Sequence, residues 1–114
     1  LHGEELWVSD GTAAGTRLVL DIQPGIPRPI IEQLTAVGDK VCFAALHPSA
    51  GIEPWISDGT ASGTRLMADI RTRAFGNSNP AGFAAHNGLV FYSANDDFDE
   101  RELFVTDVAT MITQ

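Results

Sequence analysis

The chain repeats itself. Residues 5–22 read ELWVSDGTAAGTRLVLDI and residues 53–70 read EPWISDGTASGTRLMADI, 48 residues further on. Five of the 18 positions differ: Leu6/Pro54, Val8/Ile56, Ala14/Ser62, Val19/Met67 and Leu20/Ala68. Three of these differences exchange one apolar side chain for another, as a shared buried position permits. A long-period repeat restricts the fold to architectures in which one supersecondary unit stacks on the next, because a single unit cannot bury its own apolar face. The segments between the copies correspond more weakly, with Ala36 and Phe43 aligned to Ala84 and Phe91 at the same spacing of 48. A third, degraded copy runs Glu102-Leu103-Phe104-Val105-Thr106-Asp107, 49 residues after the second. There Phe104 stands for Trp7 and Trp55, Asp107-Val108-Ala109 replaces the Asp-Gly-Thr turn, and no Gly-Thr-Arg follows.

The repeating pieces are too short for helices. They are runs of five to seven residues rich in Val, Ile, Leu, Phe and Trp, bounded by Gly, Asp, Asn or Pro, which is strand patterning. The one complete unit predicts four strands, at Gln33–Gly38, Val41–Leu46, Glu53–Ser57 and Thr64–Ile70. Gly38-Asp39 and Asn87-Gly88 supply tight hairpin turns. Asp58-Gly59-Thr60, with Gly63 behind it, marks the turn from third to fourth strand. Pro24 to Pro29 and Arg71 to Pro80 connect successive units. Helical repeats of similar period need long 3.6-residue periodicity, which is missing, and a sandwich gives similar strands without the repeat. The expected fold is therefore all-β, built of four-stranded antiparallel β-propeller blades.

At 48 residues per blade, 114 residues give 114/48, or about 2.4 blades. The expected division is a partial blade over 1–28 (third and fourth strands), a complete blade over 29–76 and a degenerate or terminal blade over 77–114. A closed propeller has roughly 4–8 blades. The expectation is that the missing strands come from a longer chain or from other copies, three of which would supply about seven blades' worth.

Glu5-Leu6-Trp7-Val8-Ser9-Asp10-Gly11-Thr12, then Gly15-Thr16-Arg17-Leu18-Val19, Asp21-Ile22 and Pro24-Gly25, is similar to the bacterial ELWxxDGT repeat family. The first copy fits best. The second departs at Pro54 and at Arg71-Thr72-Arg73. The resemblance implies an extracellular, cell-surface or periplasmic propeller-like protein with no assigned chemistry.

Composition removes several classes of function. Seven basic against 15 acidic side chains leave a net charge of −8, which disfavours nucleic acid and anionic membrane surfaces. The longest apolar run, Val41 to Leu46, is far below the roughly 18 residues of a membrane span. Cys42 is the sole cysteine, so no internal disulfide forms. No Gly-rich phosphate loop or G-x-S-x-G elbow occurs, and His2, His47 and His86 lack metal-ligand spacing. No catalytic residue is expected.

Four sets of residues remain as candidates. Asp10-Gly11 and Asp58-Gly59 are expected to close turns, the carboxylate accepting backbone N–H groups and the glycine taking the unusual φ. Trp7 and Trp55 are expected to pack between blades. With Arg17 and Arg65 they are also the only candidates for lining an inter-blade glycan pocket. Arg17 and Arg65 each have an Asp four residues on (Asp21, Asp69), a pattern that suits ion pairs joining blades. Asp96, Asp97, Asp99 and Glu100 form an acidic loop whose oxygens suit Ca²⁺, without the glycine and closing Glu of an EF-hand. No other cofactor is expected. The function expected first is a non-catalytic scaffold that binds a protein partner or further blades of the same propeller. A glycan-binding propeller, or part of a propeller enzyme such as a glycosidase or lactonase, are the alternatives.

Overall fold

A computed structural model of the chain describes residues 6–20, 31–47, 51–68, 70, 77–97, 100–110 and 112–113. These residues form three antiparallel sheets and no helix. The first sheet pairs β1 (Leu6–Val8) with β2 (Arg17–Leu20). The second is a meander of β3 (Ile31–Val37), β4 (Lys40–His47), β5 (Gly51–Ser57) and β6 (Arg65–Leu66), in that order. The third repeats the meander with β7 (Ala81–His86), β8 (Leu89–Asn95), β9 (Arg101–Asp107) and β10 (Ile112–Thr113). Each strand therefore pairs with its neighbour in sequence. The fourth strand is shorter than the sequence predicts, two paired residues in place of Thr64–Ile70.

Register corrects the alignment of the last two units. In the second sheet Thr35 faces Cys42, Val37 faces Lys40 and Phe43 faces Trp55. In the third, Ala84 faces Phe91, His86 faces Leu89 and Tyr92 faces Phe104. The spacing is thus 49 in every strand of the unit, and Phe43 corresponds to Tyr92, not to Phe91. The chemical identity of Phe43 and Phe91 misled the sequence comparison. Backbone geometry supports the corrected register, because the β3 bulge carries Gln33 at φ 64° and the β7 bulge carries Gly82 at φ 70°, again 49 apart.

The sheets stack, and the same faces meet at both junctions. Leu6, Val8 and Val19 of the first sheet pack against Phe43, Ala45 and Trp55 of the second. Ile56, Met67 and Cys42 on the other face of the second sheet pack against Val90, Tyr92, Ala94 and Phe104 of the third. Val8 and Ile56 are equivalent positions, as are Val19 and Met67. So are Phe43 and Tyr92, Ala45 and Ala94, and Trp55 and Phe104. Strand alternation produces this arrangement, since Cys42 and Phe43 point to opposite faces of β4. β4 and β5 of the middle sheet are buried on both sides, while β3 keeps Glu32, Gln33, Leu34 and Ala36 exposed. Between the second and third sheets the backbones approach most closely where β3 lies beside β7, with a lesser approach of β4 to β7. The large rings of Trp55, Phe43, Tyr92 and Phe104 sit on the second and third strands of their units, away from that closest approach.

Segment 77–80 stitches the last two sheets. Ser78 donates its N–H to the Ile52 carbonyl at 2.8 Å and accepts from Asn95 N–H at 2.7 Å. Ile52 N–H is in turn bound by Asn77 Oδ1 at 2.9 Å.

Candidate functional site

The repeated Asp-Gly-Thr turns are built identically. Asp10 Oδ1 accepts both the Thr12 N–H (2.9 Å) and the Thr12 hydroxyl (2.6 Å). Thr12 Oγ1 then accepts the Gly15 N–H at 3.0 Å, and the Thr16 hydroxyl donates to the Thr12 carbonyl at 2.6 Å. Because Thr16 has used its single proton there, Ser9 Oγ must be the donor in the 2.7 Å Ser9–Thr16 contact. Ser9 Oγ also accepts Gly11 N–H at 3.0 Å. The second turn reproduces every bond 48 residues later, through Ser57, Asp58, Thr60, Gly63 and Thr64. Hydrogen bonding by Thr60, side chain first and backbone second, holds the Asp58 carboxyl below its ordinary value, and Thr12 does the same for Asp10.

Two glycines in each turn are required, for different reasons. Gly11 and Gly59 both adopt φ 94°, a region costly for other residues. At Gly15 and Gly63 the requirement is space: a Cβ there would overlap the carboxylate of Asp10 or Asp58. These hydroxyls and carboxylates are committed to the turn, which leaves no activated nucleophile in it.

The third turn has lost the motif and kept part of its bonding. Asp107 Oδ1 accepts Ala109 N–H at 3.0 Å, two residues on, as in the other turns. Thr106 and Thr113 join by their hydroxyls at 2.6 Å, the same seven-residue span as Ser9–Thr16 and Ser57–Thr64. Tyr92 OH adds a contact to Thr106 Oγ1 at 2.9 Å. Sequence reading missed this clasp because Thr for Ser at 106 and a shifted spacing hid it.

The four residues singled out for ligand binding do not converge. Trp55 is 5% exposed and stacks on Phe43, with ring centroids 6.2 Å apart. Trp7 is 60% exposed, on the face of the first sheet that turns away from the second. Arg17, opposite Val8 on β1, faces the second sheet and donates from Nη2 to the Gly59 carbonyl at 3.0 Å. Its described partner is thus a turn carbonyl of the next unit, where an Asp had been expected; Asp21 and Asp69 lie outside the described residues. Arg65 has no hydrogen-bond or ion-pair partner among the described residues. The turn that would meet it is rebuilt, with Val108 in the place of Gly59, and Val108 packs against the apolar core. Arg65 instead lines a cleft of about 300 Å³ with Lys40, Asp58 and Val108, and no aromatic ring among the described residues lines it.

The acidic loop gathers differently from the expectation. Carboxylates of Asp96, Glu100 and Glu102 lie within 4.8 Å of one another. Asp97 is outside that group, and Asp99 lies outside the described residues. Glu102 enters from the start of β9, two residues beyond Glu100, which precedes the strand. Asp96 also closes the loop itself, its Oδ1 accepting Glu100 N–H at 3.0 Å and its own N–H bonding the Glu100 carbonyl at 2.9 Å. Glu53, which the sequence reading passed over, is fully buried and accepts the Ile70 N–H at 2.9 Å. It recurs as Glu5 and Glu102 in the other copies, and that recurrence was its available signal.

No helix among the described residues is long and apolar enough to cross a membrane. Comparison with protein-family models, curated proteins and solved structures finds no match to this chain.

Proposed function

We propose that the chain is a non-catalytic β-propeller segment whose work is to present and join repeat units, as a scaffold or protein-interaction module. The observation that carries this reading is the double use of one sheet-to-sheet junction, with the same residue positions on each side, joined by the closest backbone approach along the first strands of the second and third sheets. Sheets that come closest along their first strands fit the radial arrangement of propeller blades. The similarity of the first copy to ELWxxDGT repeats fits this reading and suggests an extracellular, cell-surface or periplasmic setting.

The repeated Ser, Asp and Thr residues are engaged in turns, and the repeated aromatic residue is covered wherever a preceding unit packs on it. Their recurrence follows from building one junction several times, and no substrate is needed to explain it. The glycan-binding alternative rests on the cleft beside Arg65. A glycan array probed with the wild-type chain and with Arg65→Ala separates the two. The scaffold reading expects no saturable binding to any glycan. Saturable binding that disappears in Arg65→Ala would replace it with a lectin function.

A further inference from the structure

The two outermost faces of the stack carry parts of the two halves of the junction that the chain already makes twice, the first sheet supplying among the described residues only the third- and fourth-strand side. On the first sheet, Trp7 and Leu18 lie opposite each other across the β1–β2 pair. They are the counterparts of Trp55 and Leu66, which face each other across β5–β6 and are packed against the preceding sheet. Trp7 has no such cover and is 60% exposed. On the third sheet, Leu103 and Val105 alternate with the inward Phe104 and so point away from the stack. They are the counterparts of Pro54 and Ile56, and of Leu6 and Val8, all of which lie against or within a junction. Leu103 is 73% exposed, the largest exposure among the large apolar side chains described.

We infer that the Trp7 face of one copy of this chain receives the Leu103–Val105 face of a second copy, forming between chains the third- and fourth-strand part of the junction made within each. This deepens the scaffold reading and rests on it, naming as partner another unit of the same repeat. A second copy is the occupant that fits, because its Leu103 and Val105 stand at the positions of Leu6 and Val8, which pack on Trp55 within the chain. The contact is heterologous: the two surfaces are different, and the pair retains one free surface of each kind. Each copy carries a net charge of −8, so like charges oppose the approach and apolar burial drives it. Association therefore strengthens as salt screens the repulsion.

The test uses Trp7→Glu and Leu103→Glu. Both sites are exposed, and far-UV circular dichroism establishes that each variant keeps the fold. In analytical ultracentrifugation the wild-type chain is expected to self-associate, more strongly at high salt. Each variant alone is expected to bind itself at least about tenfold more weakly, a change of roughly 1.4 kcal/mol. An equimolar mixture is expected to form heterodimers and nothing larger, because one intact surface of each kind remains. A wild-type chain that stays monomeric at high concentration and high salt overturns the inference. A mixture that fails to pair also overturns it, as does self-association that only one variant weakens, which indicates a symmetric contact. These outcomes are independent of the glycan array: a monomeric chain without glycan binding leaves the scaffold reading standing with a different partner.

Discussion

Asp58 and Gly63 depend on each other. The carboxylate occupies the space where a Cβ of residue 63 would be, and in return orders the turn through two bonds to Thr60. Gly63→Ala should cost about 2 kcal/mol, and Asp58→Ala should also destabilise the fold. The double variant should cost clearly less than their sum, because removing the carboxylate removes the overlap. Urea titrations of the four chains check this. Acid acts on the same pair of turns. Since the folded carboxyls of Asp10 and Asp58 lie below the ordinary 3.8, the unfolded chain binds more protons in that range. Their contribution is fully present above the ordinary value and is lost as pH falls through the lower folded value. Asp10→Asn/Asp58→Asn should therefore lose less stability than the wild type between about pH 5 and pH 2.5, read as urea midpoints at each pH. Burial acts the other way on Cys42, pushing its thiol up to about 11 and leaving it inert at neutral pH.

At the scale of strands, the sequence disclosed the pattern better than the partners. Four strands per unit followed from the alternating runs between Gly38-Asp39 and Asp58-Gly59, because turn residues with special φ values are locally readable. The register of the third unit was not readable. A single added residue between β6 and β7 changes the spacing from 48 to 49, and pairing with neighbouring strands, which is not a local property, determines it. The fate of each Trp was hidden for a similar reason. Trp7 and Trp55 have nearly identical neighbours in sequence, and only the presence of a covering sheet separates an exposed ring from a buried one. Ile56 and Val105 form another such pair, equivalent in position, with Ile56 3% exposed and Val105 only half-buried. Ile56→Ala should cost about 3 kcal/mol and Val105→Ala about 1 kcal/mol or less, measured by denaturant unfolding. The Thr106–Thr113 clasp repeats the lesson: hydroxyl chemistry persisted after the motif's letters had changed.

At the scale of the whole molecule, each sheet is made from consecutive residues, yet no sheet buries both of its faces by itself. The second has a neighbour on each side, while the first and third have one. Native-state hydrogen exchange should therefore be slowest in β4 and β5, and faster in β1, β2 and β10, at concentrations where copies stay apart. Uniform protection across the three sheets would contradict this. The repeated junction also affects how the chain can be shortened. Deleting the first sheet would remove few residues, but it would expose the face carrying Phe43, Ala45 and Trp55. Stability here is a nearest-neighbour quantity: it accrues at the contacts between units, and a unit cut out of the series takes its neighbour's support with it.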